Sequence, residues 1–118
     1  MKFIKAVQYT LDHLEAIKRD IRYYDKSQRE NGMRYGSIAI VVELKGDGSF
    51  THHVKGMSLE LAQMASDPYT VIIARVTRGY DDDNTEVLDR ELQQLEDKLQ
   101  ERLDLECAIE RKLTAIEN

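Results

Sequence analysis

A chain of 118 residues, a third of them charged and 7% aromatic, is long enough to bury one core and too short for two. The single cysteine, Cys107, excludes an internal disulfide framework, and no apolar run approaches the length of a membrane span. The net charge of −5 is uneven: residues 1–80 hold 12 basic and 9 acidic side chains, whereas residues 81–118 hold 5 and 13. An acidic final third repels the phosphates of duplex DNA, while small anions at the body or basic proteins at the acidic arm stay open as partners.

The first residues, 1–6, lack the charged-then-apolar layout of a signal peptide, so a cytoplasmic location is expected. Ile4, Val7, Leu11, Leu14, Ile17, Ile21 and Tyr24 then recur at steps of three and four, which predicts one amphipathic helix over residues 3–30. Asn31-Gly32 suits its C-terminal cap. Residues 37–44 (SIAIVVEL) are short and rich in β-branched side chains, hence a strand. Lys45-Gly46-Asp47-Gly48 supplies a hairpin turn, residues 49–55 return as a second strand, and Gly56 breaks it. Ser58 is placed to cap a short helix over residues 59–65, and Asp67-Pro68 opens a third strand, 69–77, whose VIIARV run reads as buried on both faces.

Residues 83–118 predict one long helix, with Asp83 and Glu86 at capping-box spacing. Leu88, Leu92, Leu95 and Leu99 alternate four- and three-residue steps, and Ile109, Leu113 and Ile116 resume that heptad phase. Such a helix runs on the order of 50 Å, well beyond a globule of this size. The stripe is therefore expected to pack on another copy or on the N-terminal helix, making the protein its own partner, at least as a dimer. Arg102 and Glu106 interrupt the heptad where leucine belongs.

The expected architecture is a single α+β domain over residues 1–118, with a body at 1–82 and the long helix at 83–118. Its sheet is three-stranded and mainly antiparallel in order 2-1-3, because the hairpin sets the first two strands and a crossover makes the second and third run in parallel. That order brings Arg34-Tyr35-Gly36, entering the first strand, beside Arg78-Gly79-Tyr80, leaving the third, with Arg75 one pleat earlier. Arginine offers a planar fork for phosphate or carboxylate, tyrosine a face for stacking, and glycine room for close approach. These seven residues form the candidate ligand site. The bland alternative has the arginines pairing with Asp81, Asp82 and Asp83 while the glycines only allow turns.

Catalysis finds little support. No nucleophile elbow, phosphate loop or dinucleotide-binding glycine triplet is present, and the acidic neighbours Asp104, Glu106 and Glu110 speak against a nucleophilic Cys107. His52 and His53 face opposite sides of one strand, with His13 expected far away on a solvated helix position, so no metal or other cofactor is expected.

The layout, with Arg34, Tyr35, Arg75, Arg78 and Tyr80 at strand ends beside a long C-terminal helix, resembles that of small phage anti-defence proteins of the anti-Thoeris sponge type. The resemblance implies a homo-oligomer that sequesters a nucleotide signal at subunit interfaces without catalysis. Two other readings stay open: an acidic inhibitor that occupies a basic or nucleic-acid-binding surface of a partner protein, and a purely structural coiled-coil subunit.

Overall fold

The computed structural model describes residues 3–33, 36–56, 59–78 and 85–117. Its elements are α1 (Phe3–Asp12), α2 (Leu14–Glu30), β1 (Ser37–Leu44), β2 (Phe50–Gly56), α3 (Leu59–Ala65), β3 (Thr70–Thr77) and α4 (Glu86–Glu117). The α+β class and the strand order β2-β1-β3 are as expected, and β1 pairs antiparallel with both neighbours. Gly56 closes β2 from within, paired with Ile38. The expected caps at Ser58 and Asp83 lie outside the described residues.

The N-terminal helix is two helices, not one, broken at His13. Thr10 Oγ1 donates to the carbonyl of Ala6 at 2.9 Å, and the His13 ring bonds the Tyr9 carbonyl at 2.9 Å. Two successive side chains thus compete for i−4 carbonyls, a known cause of helix bending. Periodicity alone missed the break because the apolar face continues through it: Ala6, Val7, Leu14, Ile17 and Ile21 are all buried.

The hairpin forms as its Asp-Gly signal predicts. Gly48 donates to Lys45 at 3.0 Å and takes φ +86°, while Asp47 Oδ1 accepts from the Ser49 amide at 2.9 Å. These are the marks of a type I turn followed by a left-handed glycine.

Strand alternation then sorts the sheet into two faces. Ile38, Ile40 and Val42 meet α1, α2 and α4 in the main core, whereas Ala39 and Val41 face outward to Leu61 and Met64 of α3. In β3 the register slips between Ile40 and Val41, whose partners are Ala74 and Ile72, so Ile73 is the extra residue of a bulge. The bulge resets the face, letting Val76 and Val71, five residues apart, both join the main core. The VIIARV run is accordingly not buried throughout: Arg75 is exposed, and Val71 and Ile72 are half-buried.

The stripe on α4 divides. Leu88, Leu92, Leu95, Leu99 and Leu103 are at most 8% exposed, packed into the protein's own core together with residues of α1, α2 and the sheet. Ile109, Leu113 and Ile116 are exposed. A straight α-helix drifts about 20° per heptad against a strict seven-residue repeat, so three heptads turn Ile109 about 60° away from Leu88. The inward line instead follows four-residue steps through Leu99, Leu103 and Cys107. Arg102, one of the two polar interruptions, lies over the Phe3 ring at 4.6 Å.

Candidate functional site

Of the two expected tripeptides, the register brings the described members Gly36 and Arg78 together at one corner. Ser37 pairs with Thr77, and the Arg78 amide donates to the Gly36 carbonyl at 2.9 Å. Gly36 takes φ +123°, a conformation favouring glycine. Arg34, Tyr35, Gly79 and Tyr80 lie outside the described residues, as do Asp81, Asp82 and Asp83.

Arg78 does not present an open fork to solvent. It is 3% exposed, and its Nε donates to Asp25 Oδ1 at 2.7 Å while an Nη donates to the Met33 carbonyl. Asp25, equally buried, also accepts from Arg29 Nε at 2.9 Å, and Arg29 reaches the Arg78 carbonyl at 3.3 Å. One carboxylate between two guanidiniums therefore ties α2 to the end of β3 and to the loop before β1. No spacing rule links residues 53 apart, so Asp25 is a partner that the sequence could not reveal.

Arg75 differs. It is exposed on the outer face of the sheet and, among the described residues, forms no ion pair. Across the sheet it stands opposite Ala39, which on its other side stands opposite Lys55. Two strand spacings separate Lys55 from Arg75 by about 9.5 Å of backbone, with Ala39 between them buried in the cluster that Leu61 of α3 covers. Ser37 and Thr77 add hydroxyls on the same face, one pleat nearer the corner. Lys55 also donates to Glu60 of α3 at 3.0 Å, so half of this cationic pair is shared with a carboxylate. The arrangement suits a small anion, with Arg75 as the main charge and the hydroxyls as donors. Ser37, Lys55 and Thr77 were not legible as site residues, because only the strand register puts them beside Arg75.

A second polar cluster joins the α1–α2 break to β2. His13 is not remote from the histidine pair: its ring lies 6.5 Å from that of His52 and stacks on Tyr9 at 4.1 Å. The Tyr9 hydroxyl meets His52 Nδ1 at 3.0 Å, and His52 Nε2 meets Asp20 at 3.1 Å. Burial pushes the Tyr9 phenol up. Among the described residues, no group of three His, Cys, Asp or Glu side chains is arranged to hold a metal, and no helix is long and apolar enough to cross a membrane.

Comparison with known proteins returns no matching family model, no curated relative and no solved structure. The chemistry of these residues therefore carries the functional reading by itself.

Proposed function

We propose that this protein is a non-enzymatic, self-associating binding protein that captures a small phosphate-bearing ligand, of the nucleotide class, on the outer corner of its sheet. The observation that carries the reading is Arg75, exposed and without an ion-pair partner among the described residues, set with Lys55, Ser37 and Thr77 around Ala39. Arg34, Tyr35, Gly79 and Tyr80 adjoin this corner in sequence and would supply the further charge and the stacking faces that a nucleotide base needs. Arg78 serves as the buttress beneath the corner rather than as a ligand contact. Self-association rests on the exposed apolar stretch of α4. A binder of this kind acts by holding its ligand away from other receptors.

Thermal-shift measurements with inorganic phosphate and with linear and cyclic nucleotides test it. A ligand at 100 times its dissociation constant adds about 2.7 kcal/mol, which for a chain of this size raises the midpoint by on the order of 10 °C. Arg75→Ala should remove the response while leaving the unliganded midpoint in place. No stabilisation of the wild type by any of these compounds at millimolar concentration would refute the reading.

The acidic face of α4 favours a second reading, an inhibitor of a basic protein surface. Glu96, Asp97, Glu101 and Asp104 are exposed along it. Such an interaction weakens steeply with salt.

A further inference from the structure

A small cleft opens between α2 and β2, on the face of the sheet opposite Arg75 and Lys55. It measures about 280 Å³ and is lined by Asp20, Tyr23, Tyr24, Ser27 and Val54. Helical spacing sets the four α2 side chains on one face, at i, i+3, i+4 and i+7 from Asp20. Val54, opposite the core residue Ile40, supplies the apolar floor. Glycine is required at position 56, because a side chain there would collide with the Tyr24 hydroxyl.

The lining holds oxygen acceptors and neither lysine nor arginine. Asp20 Oδ2 meets His52 Nε2 at 3.1 Å, which leaves Oδ1 without a hydrogen bond among the described residues, on a half-exposed side chain. No lysine or arginine among those residues pairs with Asp20. The hydroxyls of Tyr24 and Ser27 have no partner among them either. Ser27 does not bond back to the carbonyl four residues earlier, as Thr10 and Thr114 do. At 100° per residue, Arg19 and Lys26 fall beyond Tyr23, on the side of α2 away from Tyr24 and Ser27. Arg22 is engaged by Asp89 of α4, and strand alternation sends Lys55 to the other face. A phosphate would find no cation here.

We propose that this cleft binds a small primary alkylammonium ion. Three N–H donors match three acceptors: Asp20 Oδ1, the Tyr24 hydroxyl and Ser27 Oγ. The charge meets a carboxylate that no protein cation compensates, and the tyrosine rings add aromatic surface that attracts cations. The hydrocarbon stem lies against Val54. Sites for drug-sized ligands start near about 300 Å³, so a chain of a few carbons fills this one. The site is separate from the phosphate corner and does not rest on that reading.

Titration with butylammonium, followed by backbone amide chemical shifts and by calorimetry, tests it. The amides of residues 20–27 and 54 should shift and saturate at millimolar ligand, in wild type and in Arg75→Ala alike. Asp20→Asn keeps the shape and removes the charge, so it should weaken binding by about tenfold or more at an unchanged urea midpoint. Ser27→Ala should weaken it several-fold. Tetramethylammonium has the same charge and no N–H donor, and should bind at least about tenfold more weakly. Equal affinity for the two cations, undiminished binding by folded Asp20→Asn, or no shift at these amides would overturn the proposal. Butylammonium capture without any phosphate or nucleotide response would support this site while removing the reading of the corner.

Discussion

Two arginines three residues apart should respond to truncation in opposite ways. Arg78 is 3% exposed and bound to Asp25 at 2.7 Å, whereas Arg75 is exposed on the outer sheet face. Breaking a buried ion pair by removing one partner costs about 3–5 kcal/mol, because the remaining charge stays buried without compensation. Arg78→Ala belongs at the lower end, about 3 kcal/mol, since Arg29 still donates to Asp25 at 2.9 Å. Asp25→Ala belongs at the upper end, about 5 kcal/mol, because it strands two guanidiniums that are 4% and 13% exposed. Arg75→Ala should stay within about 0.5 kcal/mol. In urea, with a slope of about 1.5 kcal/mol per molar, these become midpoint shifts of roughly 2 M, 3 M and under 0.5 M. Equilibrium unfolding followed by circular dichroism measures all three under one set of conditions. A shift for Arg78→Ala as small as that for Arg75→Ala would refute the buttress and return Arg78 to the list of ligand contacts.

Leu92→Ala should cost about 2–5 kcal/mol in the same assay, because it opens a cavity in the core; a cost under about 0.5 kcal/mol, as at an exposed surface position, would contradict the division of α4. Tyr9→Phe removes the hydroxyl that reaches His52 at 3.0 Å and should cost about 1 kcal/mol, read as a drop in urea midpoint. Asp89 is held below the ordinary carboxylate range, first by the hydrogen bond from Arg22 and then by that from Thr85. Its folded value lies below its unfolded one, so the stability it contributes is complete above the unfolded value and is lost as pH falls through the folded one. The acid limb of a pH–stability profile should therefore flatten in Arg22→Ala and also in high salt, since the pair is half-exposed; an unchanged limb would dismiss this linkage.

Some of this protein was written locally and could be read without coordinates. β-branched residues 37–44 and the Asp47-Gly48 turn specify a hairpin through backbone preferences that need no distant partner. The crossover then leaves few ways to add a third strand, so the order β2-β1-β3 follows from chain connectivity. The leucine spacing of α4 announced a long helix with an apolar stripe for the same reason: a 3.6-residue turn repeats whatever surrounds it. What packs on that stripe was not local. Helical drift gives Leu88–Leu103 to the protein's own core and leaves Ile109, Leu113 and Ile116 outside it, a division visible only when the body is in place. The break at His13 was likewise hidden, because side-chain bonds to carbonyls leave the apolar periodicity intact. The corner shows the contrast most sharply. Sequence placed Arg75 and Arg78 together as like residues, but pleat and bulge turn Arg75 to the outer face, which it shares with Lys55, and Arg78 inward, onto Asp25. Which arginine stays free depends on a carboxylate 53 residues away in sequence, and tertiary packing alone brings that charge within hydrogen-bonding distance.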